Sequence, residues 1–374
     1  MSDAPVFFWQ NMPAHHQTGA LDALASAWGA PVTGVWCGDI SATRKEQGWS
    51  SAPRTNLRDH FLPSEGWEEA VDALVDSNVA AIHIFSGIGA YPPVTRAVRR
   101  LAKYPSAKMG VMAESSIMMG WAGVARRLKA RLCYLPYVRR LGAVFAMGNL
   151  GIDFYRRLGF RDEQLYPYFY QESVPCPPPR PPSRGGVRML YAGQLNERKG
   201  VDVLMEACRL IDAPGWTLDI FGDGPFREKL KLEVRRSGLE GQVSFRGIAP
   251  SATLLSEMPN YDLAVVPSRF DGWGMLVNEA LQCGLAVLAT DKVGAAILVH
   301  SSGAGAVLPK ENPRAMAEAI RLRLNRPDLL ASEQRLALEY APRLAPIKAA
   351  EYLAAALRHA FQGHSERPVP GWIS

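Results

Sequence analysis

Cysteine is scarce, and its pattern excludes two structural classes. Cys37, Cys133, Cys176, Cys208 and Cys283 are scattered, odd in number and nowhere spaced Cys-x-x-Cys. That argues against a zinc ribbon and a disulfide framework, and it suits a reducing compartment. His15-His16 is the one adjacent histidine pair, and no His-Glu-x-x-His occurs, so no metal site is expected. Met1–Pro13 lacks a basic run followed by an apolar core, and no charge-free apolar stretch reaches membrane-spanning length. The expected location is the cytoplasm, at the inner face of the cell membrane. Common phosphate motifs are missing too: there is no Gly-x-x-x-x-Gly-Lys-Ser/Thr loop. Gly87-Ile-Gly89 and Gly222-Asp-Gly224 lack the third glycine of a dinucleotide fingerprint, and no Gly-x-Ser-x-Gly elbow appears.

What is present is an alternation of short apolar runs with longer helical patterns. The strand candidates of the first half are Val6–Gln10, Val32–Cys37, Ala81–Phe85, Met109–Ala113 and Ala143–Met147. Those of the second half are Val187–Ala192, Leu218–Phe221, Val243–Arg246, Leu263–Val266, Ala286–Ala289 and Ala306–Leu308. Continuously apolar strands are covered on both faces, which predicts parallel, doubly wound sheets. The proline-rich segment Cys176–Gly186 interrupts the rhythm and reads as a linker. The expected fold class is therefore α/β, with two Rossmann-like parallel-sheet domains facing a cleft. The expected boundaries are 1–178 for the first domain and 179–345 for the second. Residues 346–374 would cross back to the first.

The C-terminal half carries four linked signals. Tyr191-Ala-Gly-Gln-Leu-Asn-Glu-Arg-Lys-Gly200 reads as a strand end, a polar turn and a helix start, where Lys199 can reach a diphosphate as a point charge. Gly222-Asp-Gly-Pro225 is a strand–helix turn with proline in the first helical turn. Val243–Pro250 is a third strand followed by a turn. The fourth signal is the most specific: Val266-Pro-Ser-Arg-Phe-Asp-Gly-Trp-Gly-Met-Leu-Val-Asn-Glu279 runs from a buried strand through a glycine loop into a helix. The amides of Gly274, Met275 and Leu276 would face a diphosphate at that helix's N-terminus. Glu279, about one turn inside, can accept bonds from two ribose hydroxyls.

These motifs resemble the family 4 retaining glycosyltransferases of the bacterial cell-surface polysaccharide type, which have the two-domain GT-B fold. That family carries Glu-x7-Glu, Gly-Arg-Leu-x-x-x-Lys-Gly and Gly-x-Gly-Pro signatures, and all three have counterparts between Val187 and Pro309. The resemblance implies transfer of a hexosyl unit from UDP- or GDP-hexose to a hydroxyl acceptor, with retention, without a metal and without a separate cofactor. It implies Asp271, Lys199 and Glu279 as catalytic residues. Gly193, Gly222, Gly247, Gln194, Arg198, Gly274, Met275 and Leu276 would bind the donor. Two positions depart from the family pattern: Asp271 stands where glutamate is usual, and Gln194 where arginine is usual. The alternatives are a GT-B-shaped epimerase or phosphorylase, and a non-catalytic nucleotide-sugar-binding subunit.

On the acceptor side, a helix is expected to begin near Ala20 after a loop containing His16 and Gly19, which are contact candidates with Glu114. The acceptor implied is a glycan or lipid-linked sugar. Segment 91–140 holds eleven Lys or Arg and one acidic residue, Glu114. Within it Ile117, Trp121, Val124, Leu128 and Leu132 recur at helical spacing. They suit an amphipathic helix packed on the first sheet, or a basic face on an anionic membrane. No nucleic-acid-binding motif accompanies the charge.

Overall fold

The structure is a computed structural model and describes residues 3–41, 54–117, 120–172, 174 and 186–373. The chain forms two compact units, Met1–Glu172 with Ala345–Trp372, and Ser173–Leu344. Cys176 and the proline-rich segment, apart from Gly186, lie outside the described residues.

The first unit is a seven-stranded sheet built from β1 (Val6–Gln10), β2 (Val32–Trp36), β3 (Arg58–Phe61), β4 (Ile82–Phe85), β5 (Lys108–Ala113), β6 (Leu141–Met147) and β7 (Leu165–Tyr168). The spatial order is β3-β2-β1-β4-β5-β6-β7, and every pairing is parallel. The helices between the strands are α1 (His15–Ala27), α2 (Trp67–Asp76), α3 (Pro92–Leu101), α4 (Gly120–Tyr134) and α5 (Gly148–Arg157). Central strands β1 and β4 are buried throughout, because helices cover both faces of a parallel sheet. Phe8, Trp9, Ile82, Ile84 and Phe85 are wholly buried there, each such side chain contributing about 1.5–3 kcal/mol of transfer free energy.

Both sheet edges escaped the sequence pattern. Strand β3 reads Arg-Asp-His-Phe and is largely exposed, since it pairs on one side alone. Strand β7 contains Pro167, which an edge strand tolerates because no neighbour needs its missing N–H. Helix α1 begins at His15 rather than near Ala20: Ala14 is extended and marks the N-cap. Gly19 accordingly sits inside the helix, where a Cβ would lie 3.6 Å from the Pro346 side chain.

The expectation that α4 packs through its apolar stripe is corrected. Its buried residues are Gly123 and Tyr134, with Ala130 packed beside them. Trp121, Val124, Leu128 and Leu132 are exposed. The inward side carries Gly123, Ala130 and Tyr134, and the large aliphatic side chains and Trp121 turn outward.

The second unit has six parallel strands: β8 (Val187–Ala192), β9 (Trp216–Phe221), β10 (Val243–Gly247), β11 (Leu263–Val266), β12 (Ala286–Thr290) and β13 (Gly305–Leu308). Its helices are α6 (Val201–Arg209), α7 (Arg227–Arg236), α8 (Ser251–Glu257), α9 (Met275–Gln282), α10 (Ala296–Ser302), α11 (Pro313–Asn325) and α12 (Pro327–Tyr340). The spatial order is β10-β9-β8-β11-β12-β13. The chain thus builds outward from β8 in one direction, then restarts on its other side with β11. That reversal makes the carboxyl ends of β8 and β11 a topological switch point, where open α/β sheets form ligand crevices.

Helix α13 (Pro346–Gln362) belongs to the first unit. It packs on α1, burying Ala349, Ala350, Leu353 and Leu357. Arg358 pairs with Asp3 at 2.7 Å, and His359 Nδ1 lies 2.6 Å from the Tyr166 hydroxyl.

Candidate functional site

In the second unit, the predicted donor residues gather at the switch point. Strands β8, β9 and β10 end side by side. The Gly193 amide donates to the Phe221 carbonyl at 3.0 Å, and the Gly222 amide to the Gly247 carbonyl at 2.7 Å. Gly222 has φ +126°, and a Cβ there would stand 1.9 Å from the Gly193 carbonyl oxygen. Two strand ends can therefore converge this closely only with glycine at that position.

The turn after β8 is shaped by its own side chains. Asn196 accepts a bond from the Lys199 amide at 3.1 Å and donates to Gln194 Oε1 at 3.0 Å. The Tyr191 hydroxyl donates to the Gln194 carbonyl at 2.9 Å. Burial, reinforced by the Asp271 charge, pushes the Tyr191 phenol well above its usual range, so it remains a donor. Gln194 itself is exposed.

This turn presents two cations to the loop after β11. Lys199 Nζ lies 2.5 Å from Asp271 Oδ2, and Arg198 Nη1 lies 3.6 Å from Oδ1. Arg198 also donates to the Phe270 carbonyl at 3.1 Å, so its guanidinium is held toward the loop rather than away from it. Asp271 is buried, and its backbone is fixed on both sides: its amide donates to the Lys292 carbonyl at 2.8 Å, and its carbonyl accepts from Gly294 at 3.0 Å. Arg269 anchors the same loop through a two-pronged bond to Asp202, at 2.8 Å on each arm. Burial alone would raise the Asp202 carboxyl, but the Arg269 fork outweighs it and holds it below the usual range.

Gly274 then begins α9 with φ +97° and no side-chain cap. A Cβ there would stand 2.6 Å from Val293 Cγ1. Among the described residues, none accepts a hydrogen bond from the amides of Gly274, Met275 or Leu276. Amides left without an acceptor at the positive end of a helix are the kind of donors that bind anions. Glu279 lies in the same helix, nearly buried.

The Asp291–Ala295 turn was not singled out from the sequence. It clamps Asp271 and also takes the Ala295 amide to the Trp273 carbonyl at 2.8 Å. The available signal was Gly294, placed just after an apolar strand. A Cβ there would stand 2.2 Å from the Gly272 carbonyl oxygen.

The first unit brings His16 and Glu114 together through Tyr170, which sequence reading passed over. The His16 ring meets Tyr170 edge-on at 4.5 Å. Burial and the hydrogen-bonded Glu114 carboxylate together push the Tyr170 phenol well up. His15 Nε2 lies 3.7 Å from Glu172, and the His16 carbonyl accepts from Gln171 at 2.9 Å. Gly19 stands apart from this cluster, against Pro346.

Two parallel, doubly wound α/β units of this topology define the GT-B class of glycosyltransferase folds. Residues 181–343 match the family described as Glycosyl transferases group 1, so the second unit carries a glycosyltransferase group 1 domain. Over 166 residues the chain is 29% identical to alpha-D-kanosaminyltransferase of Streptomyces kanamyceticus, covering 44% of this chain and 41% of that protein. Over 181 residues it is 28% identical to the amylovoran biosynthesis glycosyltransferase AmsK of Erwinia amylovora, covering 45% and 44%. The chain thus spans less than half the length of these relatives, which are named as glycosyltransferases. Among solved structures, Anabaena Alr3699/HepE in complex with UDP superposes with a TM-score of 0.72 at 17% identity, over 96% of this chain and 100% of that one. WaaG, a glycosyltransferase of lipopolysaccharide biosynthesis, gives 0.60 at 17% identity, over 93% and 98%. At these identities the likeness establishes the fold.

Proposed function

We propose that this protein is a retaining glycosyltransferase of family 4 type, moving a hexosyl unit from a UDP- or GDP-hexose to a hydroxyl of a glycan or lipid-linked acceptor. The observation that carries this is the pairing of Lys199 and Arg198 with Asp271 beside three uncapped helix amides at the switch point. Such a set matches a diphosphate leaving group. As the bond from the anomeric carbon to the diphosphate breaks, negative charge grows on the phosphate oxygens. Lys199, Arg198 and the amides of Gly274, Met275 and Leu276 would stabilise that charge with fixed dipoles and cations. The acceptor oxygen bonds the anomeric carbon, and its proton leaves with the diphosphate product or to solvent. Glu279 would hold the ribose, and Asp271 would meet the sugar once phosphate draws the cations from it. Gly193, Gln194, Gly222 and Gly247 would line the donor.

The cations and amides cover the role that a divalent ion plays in other transferases, so we assign no metal and no cofactor. His16, Glu114 and Tyr170 are the acceptor candidates of the first unit. The setting proposed is exopolysaccharide, lipopolysaccharide or glycolipid assembly at the inner face of the cell membrane, with the basic segment 91–140 toward the lipid. The names of the relatives favour transfer over the epimerase, phosphorylase and non-catalytic alternatives.

A thermal-shift screen with UDP, GDP, ADP and their sugar conjugates tests the donor assignment. A ligand that binds the native state alone raises the melting temperature. One nucleotide family is expected to do so, with the shift lost in Glu279→Ala. No shift with any of them would refute the donor site.

A further inference from the structure

Helix α4 carries its hydrophobic residues on the wrong side for a globular helix. Trp121 is 90% exposed, and Val124, Leu128, Leu132 and Leu135 are each more than half exposed. At about 100° per residue, these five fall within an arc of about 80°. Gly123, Ala130 and Tyr134, which face the core, cluster on the opposite side of the helix. A monomeric soluble surface tolerates scattered apolar residues, but a continuous exposed stripe marks an interaction face.

The charges tell what kind of face it is. The helix holds Arg126, Arg127, Lys129 and Arg131 and no acidic residue. On the same helical projection, Arg131 borders one edge of the stripe and Lys129 the other. Among the described residues, no carboxylate pairs with Arg127, Lys129 or Arg131. By contrast, Arg96 and Arg100 on neighbouring α3 are neutralised by Asp72 and Asp76. Beside the stripe runs a groove of about 500 Å³ between α4 and the start of α3. Ile88, Ala125, Leu128, Leu132, Pro136 and Tyr137 line it, with Arg99 and Lys129 at its rim.

We infer that α4 is a membrane-docking helix that lies in the plane of an anionic bilayer. Trp121, Val124, Leu128, Leu132 and Leu135 enter the boundary between headgroups and acyl chains, about 5–10 Å deep. Lys129 and Arg131 extend outward from the stripe to lipid phosphates, as long basic side chains do at an interface. Trp121, the most exposed of the set, has the amphipathic ring favoured at that depth. A lipid chain would fill the adjoining apolar groove. A second copy of the chain fits less well, because it would set this helix's cations against their own kind.

The inference deepens the acceptor side of the proposed function by naming the surface from which a lipid-linked acceptor is reached. Vesicle binding is read without nucleotide, so either proposal can fail alone. The test is sedimentation of the full chain with vesicles of phosphatidylcholine, with and without one-third phosphatidylglycerol. The anionic vesicles should bind at least about tenfold more protein, and salt should weaken that preference. Trp121→Asp with Leu128→Asp should lose binding while keeping the wild-type melting temperature, since both positions are exposed. Lys129→Glu with Arg131→Glu should lose the anionic preference. Bromine-labelled lipid should quench the tryptophan fluorescence of the wild type, and less so that of Trp121→Phe. No binding of the wild type to anionic vesicles would overturn the inference. So would wild-type binding by the Asp variant, or a concentration-dependent dimer that the Asp variant abolishes.

Discussion

Removing Lys199 should separate a structural debt from a chemical one. In the wild type, the buried Asp271 carboxylate has Lys199 at 2.5 Å and Arg198 at 3.6 Å. Breaking a fully buried pair costs about 3–5 kcal/mol, because the remaining charge is left uncompensated. Here Arg198 still faces the carboxylate, and both partners keep some access to water, so Lys199→Ala should cost about 2 kcal/mol. For a unit of this size that is a fall of about 4–8 °C in melting temperature. Adding Asp271→Asn removes the uncompensated charge and should recover most of the loss. Turnover should behave differently. In the proposed reaction, Lys199→Ala removes a cation that stabilises the leaving diphosphate, an expected loss of about 10²–10³ in rate, and Asp271→Asn should not restore it. Melting curves and product formation from the nucleotide sugar identified by thermal shift would be read on the same three proteins. Wild-type melting and wild-type turnover in Lys199→Ala would refute both halves. Recovery of turnover in the double variant would show that Lys199 acts by supporting the loop and not on the phosphate.

Two further outcomes follow from buried polar groups outside the site. Arg323 and Glu333 form a two-pronged pair at 2.8 and 2.6 Å between α11 and α12, both almost wholly buried, so Glu333→Ala should cost about 3–5 kcal/mol in urea unfolding. A much smaller loss would mean that water reaches the arginine. Burial pushes His83 down to about 4 from its usual 6.5; its Nδ1 accepts from the Trp9 indole at 3.0 Å, and Nε2 donates to the Asn78 carbonyl at 2.9 Å. The unfolded chain therefore binds this proton more readily. Stability is full above about pH 6.5 and falls as pH drops toward 4, with about 2 kcal/mol lost between pH 7.5 and 5. Urea midpoints across that range should show the slope, and His83→Gln should flatten it.

Much of the layout was legible because parallel sheets write a strong local signal. β11 is a continuous apolar run, and β1 and β8 are broken by Gln10 and Arg188 alone, since both faces are covered, and glycines mark where β8 and β9 end. The same signal fades at sheet edges, where β3 is polar and β7 contains proline, because an edge strand has one neighbour and one face to satisfy. The spacing of Lys199, Asp271 and Glu279 along the chain is likewise plain to see, but spacing says nothing of what each side chain touches.

The sequence alone determined the class of fold and the chemistry available: two α/β units, and cations, amides and carboxylates placed at strand ends. Tertiary structure alone decided three things. It joined Lys199 to Asp271 across 72 residues, a contact that exists because β8 and β11 are neighbours at the reversal of strand order. It placed Tyr170 between His16 and Glu114, since those three follow the carboxyl ends of three different strands, β7, β1 and β5, which the parallel sheet brings to one side. It also decided which side of α4 faces outward. Helical periodicity identifies a stripe but not its direction; here Gly123, Ala130 and Tyr134 face the core, and the large residues of the stripe face the surface.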